Sequence, residues 1–393
     1  MYRIKGVIQH YDWGGNTFLP KLLNVKNSTK KPFAEYWLGV HAGGPAEVEL
    51  GEGAKTSLSN LLNSDKPKHL GSAVWKRFNG LPFLLKILDV KDMLSIQVHP
   101  NKIDAEKGFI RENDLKISLE APHRNYKDDN HKPEVMVALS EFWLLHGFVE
   151  NIGDRILQYP FLQKFSSYFE QGGIKGLYKF LMELSQEQID EILSEHAVKI
   201  TDHYKNGDLD KSSPDFWAAR AILNGRGKID RGIFSIYLFN ILKMQPGEAI
   251  FQGARMPHAY LEGQNIELMA NSDNVLRAGL TSKHMDIPEL LANTDFVETR
   301  PSIMKGGLNG EWVSYPCPVE DFSIASLNLS SNQVKEWSLD APSIILLLKG
   351  QGKCSGISSC LSSGTDAFFV DPGEKVSFEA TENSLLFRAS VPL

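Results

Sequence analysis

Three short stretches of the chain carry side chains that can bind a metal or move a proton. In the first, Gln97 and His99 stand two residues apart in Leu94-Ser95-Ile96-Gln97-Val98-His99. Apolar and polar residues alternate there as in a strand with one wet face, and the period of two sends Ser95, Gln97 and His99 to the same side. The second stretch, His131-Lys132-Pro133-Glu134, sets an imidazole, an ammonium and a carboxylate side by side. Pro133 restricts the backbone just before Glu134, which opens the apolar run Val135-Met136-Val137-Ala138-Leu139. A solvated turn is the plain alternative for such a charged cluster. The third stretch runs from His258 to Lys283 and includes Tyr260, Glu267, Asp273 and Arg277 among many apolar residues. Charges interleaved with strand-like apolar residues are costly to bury unless they are paired or ligated, so this cluster reads as a functional site.

Together, Gln97, His99, Glu134 and His258 offer two imidazoles, a carboxylate and an amide oxygen. Two histidines and one carboxylate bind zinc and leave room for water or substrate. The amide is an uncommon zinc ligand, and an oxygen-rich set also suits manganese or iron.

Strands must carry most of these groups. Leu81-Pro82-Phe83-Leu84-Leu85-Lys86-Ile87-Leu88-Asp89-Val90 reads as a buried strand, and Phe142-Trp143-Leu144-Leu145 as another. Between residues 151 and 232 the spacing turns helical, as in Leu177, Phe180, Leu181 and Leu184, and Pro214 begins a helical run to Leu223. This block predicts three to five helices and no metal ligand, His196 and His203 included. Strand character returns at Phe234. Pro246-Gly247-Glu248 and Pro372-Gly373-Glu374 are parallel phrases that hint at a duplicated β-barrel, two unrelated tight turns being the other reading. The expected fold is mainly β with a helical insert. Residues 1–150 and 233–300 form one barrel, 151–232 the insert, and 301–393 a second β domain.

At 393 residues the chain is long enough for two or three domains. A net charge of −6 argues against non-specific nucleic-acid binding. No apolar run is long enough to span a membrane, and Met1–Gly6 lacks the apolar core of a signal peptide. Cys317, Cys354 and Cys360 are too few for a disulfide framework and match no zinc-finger spacing. The expectation is a reduced, cytoplasmic protein.

Five motifs, in order, resemble those of the type I mannose-6-phosphate isomerases. They are Tyr11-Asp12-Trp13-Gly14; Ala34-Glu35-Tyr36-Trp37-Leu38-Gly39 with His41; Leu94 to Pro100; His131 to Glu134; and Pro257-His258-Ala259-Tyr260 through Arg277-Ala278-Gly279-Leu280-Thr281-Ser282-Lys283. Residues 151–232 and those beyond 300 match only in style, and Ala42-Gly43-Gly44-Pro45 departs from the pattern. The resemblance implies a duplicated cupin-type β-barrel (jelly roll) plus an α-helical domain. It implies one zinc ion per chain on Gln97, His99, Glu134 and His258. It gives active-site roles to Lys132, Tyr260, Glu267, Asp273, Arg277 and Lys283, and sets Ser95 and Lys86 near a substrate phosphate. The implied activity is metal-dependent interconversion of mannose 6-phosphate and fructose 6-phosphate through a cis-enediolate. The implied protein is a cytoplasmic enzyme of carbohydrate metabolism serving GDP-mannose biosynthesis. It takes a small-molecule sugar phosphate, as a monomer or a dimer, with no nucleic-acid or membrane partner.

Such a reaction needs a cation near the two sugar oxygens, a base over C1 and C2, and a phosphate anchor. Arg277 and Lys132 are the expected fixed charges, and Ser95, Lys86 and Lys283 the expected phosphate contacts. A hairpin through Lys91-Asp92-Met93 would bring Lys86 alongside Ser95. Glu267 is a candidate base, with Tyr260, Lys132 and Asp273 as alternatives. A cupin oxygenase using His99, Glu134 and His258 on iron is a rival reading, and a sugar-binding cupin without activity is another. The surplus of lysine and arginine counts against the first, and the filled ligand positions against the second.

Overall fold

The computed structural model describes the chain apart from residues 51–52, 226, 306–310, 357–360, 363 and 365. Cys360 lies outside the described residues. Cys317 and Cys354 are both free thiols.

The strands that hold the motifs belong to one eleven-stranded sheet, and the strand His258–Ala270 organises it. Its first half pairs antiparallel with Ile96–Val98 and Phe142–Phe148, which extend the sheet to Leu276–Gly279 and Phe239–Met244. Its second half pairs with Phe83–Val90 and Glu134–Ala138, which extend it to Glu35–Gly39 and Glu248–Gln252. Between the halves the register shifts at Tyr260 to Glu262, and Gly263 takes φ 127°. Any Cβ at Gly263 would lie 2.7 Å from the Glu141 carbonyl oxygen, so glycine is required for the bend. The bend folds the sheet into two leaves that face each other. Leu88, Val90, Met136, Ala138 and Ile250 from one leaf pack on Phe142, Leu144, Met244 and Tyr260 from the other.

Each leaf is also covered on its outer side. Ile96, Val98, Leu145, Ala259 and Leu276 of the first leaf pack under the helices. Leu85, Ile87, Val135, Val137, Ile266 and Leu268 of the second pack against Ile344, Leu346, Phe369 and Phe387 of an eight-stranded C-terminal sheet. Strands buried on both faces read as continuous apolar runs. In Phe83–Val90 every residue is buried, Lys86 and Asp89 included. A charge inside such a run is therefore a charge inside the protein.

Helix and strand take nearly equal shares, about 30% and 31% of the chain. The expectation of a mainly β protein is corrected to a mixed one. Five helices lie between Ile152 and Asn224 among the described residues, within the three to five expected, and a further helix, Gly232–Leu238, takes the start of the segment expected to return to strand. The longest, Gln186–Asn206, starts with a capping box on Ser185. Pro214–Asn224 starts from a Ser213 cap, a bond that contributes about 1 kcal/mol. His196 bonds Tyr237 Oη at 2.7 Å, and His203 lies 3.3 Å from Asp208.

The N-terminus does not stay with the metal-motif sheet. Tyr2–Lys5 pairs with Ala367–Val370, and Glu47–Glu49 and Lys55–Ser57 continue that C-terminal sheet. A smaller four-stranded sheet closes its far side. Both Pro-Gly-Glu phrases form the same turn. Glu248 N–H bonds Gln245 O at 3.0 Å with Gly247 at φ 86°, and Glu374 N–H bonds Asp371 O at 3.2 Å with Gly373 at φ 77°. Pro followed by a positive-φ Gly is the type II pattern.

Candidate metal centre

The two leaves meet at Glu134. It begins its strand on one leaf, while Gln97, His99 and His258 come from the other. Glu134 Oε1 lies 3.3 Å from His99 Nε2, and Oε2 lies 3.3 Å from His258 Nε2. The ligand atoms of the three residues all fall within 4.8 Å of one another, and all three side chains are buried. His99 Nδ1–H donates to the Asn274 carbonyl at 2.7 Å, and His258 Nδ1–H donates to the Met256 carbonyl at 2.9 Å. A carbonyl has no proton to give, so each bond assigns the proton to Nδ1 and leaves the Nε2 lone pair free. Gln97 pairs in register with His258, and its amide reaches within 3.3 Å of His258 Nε2. Turning the amide presents its oxygen at the same place.

The residues fit a metal. His99 Nε2 and Glu134 Oε2 are buried with no hydrogen-bond partner, a costly state that a cation relieves. Burial, with help from Lys132, pushes the His99 imidazole down to about 4, so it is neutral near pH 7 as a ligand must be. Burial alone would raise the Glu134 carboxyl, but Lys132 and His99 hold it well below the usual range. Lys132 Nζ lies 3.3 Å from Glu134 Oε1.

A second charged group lies in the interior of the same leaf. Glu267, Lys86 and Trp37 sit on neighbouring strands in direct register. Glu267 accepts from Lys86 Nζ at 2.9 Å and from the Tyr260 hydroxyl at 2.8 Å. Lys86 also approaches Glu35 at 3.6 Å, and Glu35 accepts from Trp37 Nε1. Burial raises the Glu267 carboxyl; Lys86 opposes this, and Glu134 and Glu35 add to it. Burial disfavours charge on Lys86, but Glu267 and Glu35 overcome it and hold the ammonium charged. Burial first, then Glu267 and Glu134, lift the Tyr260 phenol well above its ordinary range.

The expected neighbourhood of Lys86 is therefore corrected. Its strand pairs with Glu35–Gly39 and His258–Ala270, while Ile96–Val98 pairs with His258–Ala270 and Leu276–Gly279. No hairpin sets Lys86 beside Ser95, because the two strands follow one another along the same edge of the long strand, with Val90 opposite Gly263, Leu94 N–H bonded to Tyr260 O and Gln97 opposite His258. Ser95 precedes its strand and is half-buried. Gly279 pairs with Ile96, so the loop bearing Lys283 leaves the sheet at the Ser95 end. A cavity of about 460 Å³ opens there, bordered by Trp13, Asp92, Leu280, Thr281 and Ser282. Another cavity, of about 700 Å³, lies elsewhere, between Leu139 and the C-terminal Tyr315 and Phe387. Arg277 pairs in register with Gln97, is half-buried, and makes no ion pair among the described residues. Asp273 meets His41 at 3.2 Å; that bond holds its carboxyl below the usual range.

Two partners escaped the reading of individual residues. Glu35 stands as a lone charge in Phe33-Ala34-Glu35-Tyr36-Trp37-Leu38, the signal that had marked Glu267. The Asn274 carbonyl leaves no signal, because every residue type has one.

A buried set of two histidines and a glutamate between the leaves of an antiparallel sheet, able to hold a metal ion, marks a mixed α and β protein with a candidate metal centre. Comparison with known proteins narrows the class. A family model described as phosphomannose isomerase type I, catalytic domain, matches residues 1–151. The mannose-6-phosphate isomerase of Escherichia coli (strain K12) is 36% identical over 393 residues, covering 98% of this chain and 96% of its own. That of Homo sapiens is 32% identical over 435 residues, covering 99% and 98%. The crystal structure of the Salmonella typhimurium enzyme bound to its substrate fructose 6-phosphate and zinc matches with a TM-score of 0.88 and 32% identity over the whole of both chains. The chain belongs to the type I phosphomannose isomerase family.

Proposed function

We propose that this protein interconverts mannose 6-phosphate and fructose 6-phosphate through a cis-enediolate, using one zinc ion held by Gln97, His99, Glu134 and His258. The observation that carries the reading is the pairing of orphaned ligand atoms on His99 and Glu134 with a buried proton-transfer group, Glu267, inside one sheet. Bound at that set, zinc supplies a Lewis acid beside the sugar's O1 and O2.

The chain's own groups do the rest. Glu267 takes the proton from one of C1 and C2 and returns it to the other. Its raised pKa suits it to both directions near neutral pH. Bonds from Lys86 and Tyr260 to its two oxygens fix the plane of the carboxylate. Arg277, beside Gln97, faces the enediolate oxygens with an unpaired charge, and Lys132 adds a second cation. Ser95 and Lys283 anchor the phosphate. Ser95 lies four residues from His99, roughly 13 Å along an extended chain, and a six-carbon sugar bridges part of that span. Asp273, held by His41, borders the site.

Lys86 belongs with Glu267 in this reading and does not read the phosphate. Lys86→Ala should weaken binding of mannose and mannose 6-phosphate by the same factor. A loss confined to the phosphorylated sugar would return Lys86 to the phosphate site.

We further read the two sheet systems as a duplicated cupin-type barrel pair, supported by the matching type II turns at Pro246 and Pro372. The free thiols of Cys317 and Cys354 support a reducing, cytoplasmic setting. The test of function is a coupled assay of mannose 6-phosphate to fructose 6-phosphate conversion on purified protein. Chelation should abolish turnover and one equivalent of zinc should restore it. Turnover that survives complete metal removal would sink the proposal.

A further inference from the structure

We propose that Asn274 is a positioning residue for His99, fixing the tautomer and direction of that imidazole as a metal ligand; the inference rests on the metal reading of the site. The two histidines are held in different ways. His258 donates to the carbonyl of Met256, two residues away on its own segment. His99 follows the end of its short strand and donates instead to the carbonyl of Asn274, 175 residues distant. That carbonyl lies outside any strand, so something else must hold it still.

The Asn274 side chain does so. It is fully buried, and its Oδ1 accepts from the backbone N–H groups of Lys127 at 2.7 Å and Asp128 at 3.3 Å. Its Nδ2 donates to the carbonyls of Asp128 at 2.8 Å and Asn130 at 2.9 Å, and to Asp128 Oδ1 at 3.2 Å. The Asp128 carboxylate closes the assembly, accepting from Ser272 Oγ and from Asp273 N–H, each at 2.8 Å. A side chain with both polar ends bonded inside the protein has little freedom, and its own carbonyl inherits that rigidity. Residues that orient a ligating histidine through its second nitrogen change metal affinity by about 10–100-fold when lost.

The loop 127–130 precedes Lys132 and Glu134. The same few residues therefore brace both the turn that leads into Glu134 and the carbonyl that aims His99. This gives Lys127, Asp128 and Asn130, in the polar run ahead of the His131 motif, a role that the chemistry itself does not require.

The test measures zinc affinity by competition with a chromogenic chelator on folded, metal-stripped protein. Asn274→Ala should bind zinc about 10–100-fold more weakly than wild type. Ser272→Ala removes the hydroxyl's bonds to Asp128 and Asn130 and the one it accepts from Asn274 N–H, without a large cavity, and should give a smaller loss in the same direction. In wild-type metal-free protein, nitrogen-15 NMR should show the His99 proton on Nδ1. If folded Asn274→Ala binds zinc within twofold of wild type, or if its melting temperature falls while its zinc affinity does not, the inference is overturned. Should Asn274→Ala not fold, Ser272→Ala and the wild-type spectrum decide: unchanged affinity or a proton on Nε2 overturns it. Wild-type protein that binds no zinc would instead refute the metal reading itself.

Discussion

Glu134→Ala should leave the purified protein without stoichiometric zinc and lower kcat/KM for mannose 6-phosphate by about 10²–10⁴-fold. Among the described residues Glu134 is the one carboxylate that touches both imidazoles, at 3.3 Å each, and it also pairs with Lys132. Without it the site holds two imidazoles, an amide and an ammonium. Binding a dication there means burying like charges together. Removing one partner of a buried charged pair costs about 3–5 kcal/mol, or about 10²–10⁴-fold, and the fall in kcat/KM follows the loss of the metal. Glu134→Gln keeps the volume and removes the charge, so it separates electrostatics from packing. Its zinc content should fall nearly as far. Metal analysis of both variants beside wild type checks the expectation. One zinc per chain retained in Glu134→Ala would remove Glu134 from the ligand set.

Arg277→Ala should lower kcat by about 10²–10³-fold while KM changes far less. Among the described residues Arg277 has no ion-pair partner, although it is half-buried next to Gln97. Burial without a partner disfavours its charge, and nearby Lys283 carries the same sign. Such an arrangement costs stability in the resting protein. It is repaid only when negative charge develops beside it, as it does on the enediolate. A fixed charge that meets its partner only in the transition state acts on kcat. Losing one preorganised donor of this kind costs about 2.7–4 kcal/mol of barrier. The substitution breaks no ion pair, so the fold should survive it. Steady-state kinetics on folded protein, with circular dichroism as the control, decides the matter. A kcat within threefold of wild type would take Arg277 out of the mechanism.

How far each site residue could be read depended on what kind of signal it left. Gln97 and His99 were visible because the strand period of two is local, and the alternation from Leu94 to His99 displays it. The observed strand is only Ile96–Val98, yet both side chains still face His258 and Glu134. Glu267 was visible as a charge among apolar residues, a pattern that burial cost makes rare, while Lys86 was marked only by the resemblance. Their partners were not visible. Lys86 was expected beside Ser95 through a hairpin, and the fold instead lays the two strands end to end along one edge of His258–Ala270.

The sequence by itself therefore determined the local features: which segments alternate as strands, where Pro214 begins a helix, where Pro-Gly pairs must turn, and which side chains have the chemistry of a metal site. The tertiary structure alone decided that Tyr2–Lys5 joins the C-terminal sheet, that the long strand bends at Gly263, and that Glu134 meets His99 and His258 across two leaves. It also decided that Lys86 bonds carboxylates and that the Asn274 carbonyl aims His99. Periodicity reports which side of an element is buried, because burial acts residue by residue. The partner on that side is set by the register between strands far apart in the chain. That register follows from packing the whole core, and no single segment contains it.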